Sequence, residues 1–313
     1  MTIWDAEQLW EKTRLYAARA ASEEQEGPLF ALWSAMAMEL LGRTVVANVH
    51  PALLADPQNP DNLMYAFGLG QVRKPRSVPA RTVFHRCVVI IDDFTDEELK
   101  SALALIELRN EELHSGGVPF EGLKTASWLA GYYRVCEVML RSMDREMADM
   151  FGDEQAAAAE QMIAGAAEQL ESEVREYIAR QARAFTRRDA KEQARLRKAA
   201  TQHSEVLANE VISPHQMGNV VACPACETDA WMTGDFVRLG EPVADEDAIV
   251  QEVIKIPTRL ECFACGLEIV GHGRLHAIGL GGLFAKQFRE DPASYFDIEF
   301  DPSEYYEPDY GNE

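Results

Sequence analysis

Apolar residues recur at helical spacing through most of the first half of the chain. Between residues 4 and 21 they fall at Leu9, Trp10, Tyr16, Ala17 and Ala20, which share one helix face. Gly27-Pro28 interrupts the pattern, and residues 29–49 resume it as a strongly apolar helix. Residues 51–79 carry five prolines and little periodicity, so they read as a long loop with a short helix at 63–67. Pro79 opens another helix, through Val83, Cys87, Val88 and Ile91. The clearest helix starts at Thr95. Thr95 and Glu98 have the spacing of a capping box, and Phe94 and Leu99 that of a hydrophobic staple. Ser115-Gly116-Gly117 and Pro119 end it, glycine permitting a left-handed closing turn. Residues 123–150 predict one more long amphipathic helix.

Phe151-Gly152-Asp153 punctuates the chain. Residues 154–206 contain no proline, and Ile163, Ala167, Leu170, Val174 and Tyr177 alternate steps of four and three, a coiled-coil-like seam. This predicts a single long helix packing on a partner helix or on a second subunit. Beyond Ser213-Pro214 the period changes, and strand-like runs occupy 230–237, 249–257 and 267–272. From residue 290 onward there are nine acids, no base and four tyrosines, the composition of a solvated or disordered tail. The expected fold class is mainly α. A helical bundle spans 1–150, a long helix 151–210, a small β domain 211–290 and an acidic tail 291–313.

Length and composition fit this division. The chain has 313 residues, enough for about two domains, and 47% of them are apolar, enough for a core. The expectation is that no apolar run approaches the ~20 residues of a membrane span. The first residues show neither a basic region nor a signal core, so the expected location is cytoplasmic, with no membrane partner. Net charge is −22, of which residues 211–313, with 19 acids and 6 bases, supply −13. A surface this acidic repels nucleic acid on average, so any such contact needs a local patch. One exists between Arg175 and Lys198, where nine bases meet three acids.

Four of the six cysteines form two pairs, Cys223-Pro-Ala-Cys226 and Cys262-Phe-Ala-Cys265-Gly. Each C-x-x-C turn converges two thiolates, and two turns complete a tetrahedron for zinc. The 35 residues between the pairs exceed the usual spacing and leave room for a hairpin. The expectation is one structural zinc per chain on a zinc ribbon. Two redox dithiols are the alternative, and His272 or His276 stands close enough to replace one ligand. Cys87 and Cys136 sit in apolar stretches and read as small core residues.

The remaining chemistry lies at the end of the Thr95 helix, in Arg109-Asn110-Glu111-Glu112-Leu113-His114-Ser115-Gly116-Gly117. A plain reading exists: an exposed arginine, and a histidine whose cation favours a helix C-terminus. An arginine followed by a polar residue, then a histidine after four intervening residues, in an all-helical domain, resembles the HEPN superfamily. Arg109, Asn110 and His114 carry the likeness, which covers roughly residues 1–150. The 51–79 loop departs from the family pattern. The resemblance implies a homodimer with facing motifs that cleaves RNA without a metal, in a toxin or antiviral setting. The chemistry agrees: His114 offers an imidazole, the side chain best suited to serve as base or acid, and Arg109 grips phosphate as a fork. Asn110 binds a phosphate oxygen or orients the histidine. On an ideal helix, five residues separate Arg109 and His114 by about 140°, so two motifs across a two-fold axis, or a bent helix end, must complete one site.

Glu39 interrupts an apolar run and needs a partner, either Arg43 one turn on or Arg109 across the bundle. The bases Arg180, Arg183, Arg187, Arg188, Lys191, Arg195, Arg197 and Lys198 form either a solvated helix face or an RNA-guiding stripe. Gly279-Leu280-Gly281-Gly282 has no Walker lysine and is no phosphate loop. The reading is a homodimeric endoribonuclease with RNA as substrate and 2′,3′-cyclic phosphate products. Its alternatives are a non-catalytic nucleic-acid- or protein-binding adaptor and a neutralised partner of a nucleotidyltransferase.

Overall fold

The computed structural model describes residues 2–69, 72–209, 213–245 and 247–296. Among them the chain is mainly helical, with an antiparallel sheet in its C-terminal third. It divides into two compact units. One is Met1–Glu176 with Gly271–Ala277; the other is Tyr177–Val270 with the chain from Ile278 on. The division falls inside a helix, not at the expected residues 150 and 210.

The first unit holds α1 (Ala6–Ala21), α2 (Pro28–Val49), α3 (Pro60–Ala66), α4 (Ala80–Ile90), α5 (Asp96–His114), α6 (Leu129–Arg141), α7 (Met147–Phe151) and the start of α8 (Asp153–Thr186). α2 is its centre, packed on α1, α4, α5 and α6. Ala35, Ala37, Met38, Leu41 and Val46 are all completely buried, as expected of a helix that is apolar all round. α2 also has the length and hydropathy of a membrane span, contrary to the expectation that no run approaches one. Of that window, 61% is buried inside the protein, so packing on the other helices accounts for its apolarity. Where α1 crosses α2, Thr13 and Thr44 satisfy their hydroxyls on the carbonyls of Leu9 and Leu40, both at 2.9 Å. The 51–79 loop is held from within. Asn62 donates to the Asp56 carbonyl at 3.1 Å and accepts from the Arg76 amide at 3.0 Å.

α5 begins as its sequence predicts. The Glu98 carboxylate accepts the Thr95 amide at 2.9 Å and the Thr95 hydroxyl, and Phe94 is buried. Its end differs. Neither Gly116 nor Gly117 takes a positive φ; Ser115 turns extended at φ −129°, and its hydroxyl bridges the Glu111 carbonyl (2.8 Å) and the Gly117 amide (2.9 Å). The predicted 123–150 helix is two helices. Asp144 stands left-handed at φ 55°. The Arg145 amide reaches back to Leu140 at 3.1 Å and the Asp144 amide to Arg141 at 3.1 Å, a Schellman closure with aspartate where glycine is usual.

The predicted 154–206 helix is also two, α8 and α9 (Ala190–Asn209). Asp189 caps α9 through the amides of Lys191 and Glu192, both at 3.0 Å. The Gln193 amide closes α8 on the Thr186 and Arg188 carbonyls at 3.3 and 2.8 Å. Of the predicted seam, Val174 is buried, Ile163, Leu170 and Tyr177 are half-buried, and Ala167 is exposed.

The sheet of the second unit is built on one long strand. β1 (Gly218–Ala222) pairs with β2 (Asp229–Leu239), and β2 and β3 (Val243–Asp245) line one edge of β4 (Ala248–Glu261). β5 (Glu268–Val270) and β6 (Phe284–Glu290) line its other edge, every pairing antiparallel. β4 contains a proline, tolerated at a bulge opposite Gly234, where any side chain would collide with the Ile256 carbonyl. Met232, Leu260, Leu267 and Ile269 are buried in this unit, and Met217, Val253 and Phe288 form a further cluster on one face with Phe236. Lys255 shares that buried face. Its ammonium, 1% exposed by residue, donates to the carbonyls of Met217 (2.8 Å) and His215 (2.9 Å), and burial lowers its pKa. Among the described residues two short helices remain, α10 (His272–His276) and α11 (Pro292–Tyr295). α10 belongs to the first unit, where the Glu97 carboxylate accepts the Gly273 amide at 3.1 Å. Most of the predicted acidic tail, from residue 297 on, lies outside the described residues.

Asp144 supplies a direct test of the α6–α7 turn. Asp144→Gly should stabilise the protein by about 0.5–1 kcal/mol, because glycine bears no left-handed penalty. Asp144→Val should destabilise it by about 1–2 kcal/mol. Urea midpoints moving in the same direction for both would contradict the assignment.

Candidate functional site

The two cysteine turns are built alike. In the first, the Cys223 amide donates to the Thr228 carbonyl at 2.8 Å and the Glu227 amide to the Cys223 carbonyl at 2.9 Å. In the second, Cys262 donates to Leu267 at 2.8 Å and Gly266 to Cys262 at 2.9 Å. The residue after each second cysteine is left-handed, Glu227 at φ 60° and Gly266 at φ 76°. Only the second turn uses the residue suited to that conformation.

These turns bring all four sulfurs within 4.8 Å of one another, with Cys223–Cys265 at 3.6 Å and Cys226–Cys262 at 3.5 Å. Zinc–sulfur bonds of about 2.3 Å require tetrahedron edges of about 3.8 Å, which this arrangement matches. A disulfide would need about 2.05 Å, and all four thiols are free. Hydrogen bonding from Cys223, and then Cys265, holds Cys262 well below the usual thiol range, while the bond to Cys262 pushes Cys223 above it. A divalent cation would take the place of the protons these thiols share. The cluster is thus compatible with one zinc-type ion, and four sulfur ligands leave no open position for substrate. His272 and His276 stand outside the cluster, on α10.

α9 grips both turns. Arg197 donates to the Cys226 carbonyl and, at 3.0 Å, to the Thr228 hydroxyl, which lies 3.4 Å from the Cys226 sulfur. Its guanidinium also stacks over Phe185 at 5.1 Å. The His203 ring meets Phe263, the residue after Cys262, edge-on at 4.2 Å. Arg197 therefore supports the cysteine cluster and leaves the group of candidate RNA contacts. Its helical register with buried Ala200 and Ser204 was the available sequence signal.

In the helical unit, both proposed partners of Glu39 are present. Arg43 binds it with Nε at 2.9 Å and Nη2 at 2.7 Å, and Arg109 binds its second oxygen. Arg43 is further held by the Ser77 hydroxyl at 3.0 Å and the Val78 carbonyl at 3.1 Å. Arg109 also donates to Asn110 Oδ1 at 2.7 Å, so Asn110 orients the arginine, not the histidine. Burial lowers the pKa of both arginines. Arg109 Nε and Glu112 Oε2 are buried without a hydrogen-bond partner.

α5 runs unbroken through His114, so the angular separation of Arg109 and His114 persists and no bent end brings them together. Arg109 is 12% exposed and turned to Glu39. His114 is exposed, and among the described residues its side chain makes no hydrogen bond or ion pair. Arg180, Arg183, Arg187, Arg188 and Lys191 are also exposed, Arg188 lying 5.8 Å from the Phe185 ring. No family model matches the chain, nor does any curated protein or solved structure.

Freshly purified, reduced protein should carry about one zinc per chain, and chelation should make the four buried cysteines reactive while the sheet unit melts. Metal content far below that, with thiols equally reactive before and after chelation, would exclude a structural ion. Glu39→Ala strands two arginines and should lower stability by about 2–4 kcal/mol, somewhat less than full burial would give. An unchanged urea midpoint would show that the shared carboxylate holds nothing.

Proposed function

We propose that the chain is a metal-independent endoribonuclease of the HEPN type, acting as a homodimer, in which the four-cysteine unit is a structural zinc ribbon. The observation that carries this reading is the end of α5. There Arg109 is fixed by Glu39 and Asn110, while His114 stands exposed and unpartnered at the same helix terminus. In the reaction, a histidine takes the proton of the RNA 2′-hydroxyl as that oxygen attacks phosphorus. The arginine steadies the phosphorane, and the 5′-oxygen leaves with a proton from a second imidazole. Products are a 2′,3′-cyclic phosphate and a 5′-hydroxyl. A general acid–base group contributes about 10²–10⁴-fold to such a step. One chain presents its two groups on different sides of α5, so facing motifs of two chains complete the site. The toxin or antiviral setting follows from the family resemblance alone.

A second reading has its own support. Arg109 is occupied by Glu39, as in a scaffold whose motif no longer reacts. In that case the chain is an adaptor that binds nucleic acid or protein.

The two readings separate cleanly. His114→Ala should abolish RNA cleavage without lowering the melting temperature by more than a few degrees. Arg109→Lys should be nearly as severe, because an ammonium lacks the fork. EDTA should not slow the initial rate, and sedimentation should report a dimer. Wild-type protein that leaves diverse RNAs intact, or a His114→Ala variant that still cuts, leaves the adaptor.

A further inference from the structure

We infer that the bend between α8 and α9 is a docking surface for the phosphodiester backbone of a single nucleic-acid strand. The choice of RNA as that strand rests on the nuclease reading; the surface itself does not. At 3.6 residues per turn, Arg180, Arg183 and Arg187 fall within about 60° of one another on α8, and Lys191, Arg195 and Lys198 do the same on α9. All six are exposed.

Each stripe lies opposite the side its helix covers. On α8 the covered positions opposite the stripe are Ile178, Ala182 and Phe185; on α9 they are Arg197, Ala200 and Ser204. Arg197 faces the cysteine turns, so α9 is anchored by one side and displays bases on the other. Asp189 and Gln193 close the facing helix ends, which makes the bend a formed corner.

Ordinary solvated helices interleave acids with bases along a face. Here only Arg195 has an ion pair, with Glu192, among the described residues. Each stripe is also bounded at its outer end: the next positions are Glu176 and Glu173 on α8, and Gln202 and Glu205 on α9. On a chain of net charge −22 this is a confined patch to which a polyanion is drawn, with the remaining surface repelling it. Four of the six bases are arginines, whose forks suit phosphate oxygens.

The test uses the full chain carrying His114→Ala, so that cleavage does not intrude, and the anisotropy of a labelled single-stranded RNA of about 20 nucleotides. A DNA of the same sequence is the second arm. Arg183→Glu/Arg187→Glu/Lys191→Glu should weaken RNA binding at least about tenfold and flatten the log–log salt dependence by about two. The milder Arg183→Gln/Arg187→Gln/Lys191→Gln should weaken it in the same direction, guarding against misfolding. A control with the same change of charge elsewhere, Lys12→Glu/Lys100→Glu/Lys286→Glu, should stay within about threefold of the parent. Parallel loss of DNA binding supports a surface that reads backbone; loss for RNA alone supports one that also reads the ribose. Stripe and control variants losing affinity equally would overturn the proposal. So would a parent that binds neither strand, which would leave an acidic protein as the partner. If wild type fails to cut RNA while the stripe variants lose binding, the nuclease reading falls and the docking surface stands.

Discussion

The carboxylate of Glu39 is shared between two guanidinium groups at a place where little water reaches, and much of the helical unit is arranged around that sharing. Arg43 and Glu39 sit one turn apart on α2, a helix with few other charges to balance. A lone ion there would be costly, and a pair with further hydrogen bonds is tolerated. Arg43 supplies those bonds by reaching Ser77 and Val78, so the end of the proline-rich loop is secured by the same group. Arg109 completes the carboxylate from α5. Loop, central helix and candidate phosphate-binding arginine are therefore positioned by one acid.

The sheet unit answers a different problem. One of its apolar clusters centres on Val253, and its longest strand is irregular. The four-cysteine cluster closes the β1–β2 turn against the β4–β5 turn, and α9 lies across both through Arg197 and His203. An ion held there would fix strands and helix together. Lys255 performs a comparable task midway along β4, gathering the carbonyls of residues 215 and 217 onto the sheet.

The sequence made some of this legible and concealed the rest for identifiable reasons. The cysteine pairs and the Thr95–Glu98 cap are local, so spacing alone located them. Both helix breaks were hidden because the residues that made them are not typical breakers. Asp144 adopts a conformation that usually advertises itself as glycine, and Asp189 caps a new helix inside a run otherwise made of good helix formers. Lys255 reads as a solvent-facing strand residue, yet it shares the buried alternation of Ile249, Gln251 and Val253. The partners of Glu39 were narrowed to two, and geometry employs both. Arg197 was indistinguishable from its basic neighbours until the face it shares with Ala200 was known.

The short segment Gly271–Ala277 leaves the sheet unit, joins the helical unit through the Glu97 carboxylate, and returns. Together with α8, it makes the backbone pass between the two units three times. Neither unit is thus a continuous stretch of sequence, and no single cut in the gene isolates one intact. Expressed alone, residues 1–176 would lack the piece that occupies the Glu97 carboxylate, and an excised sheet region would carry a foreign helix with nowhere to rest. An insertion or deletion near Gly271 would have to suit both units at once, although the stretch contributes only about one turn of helix.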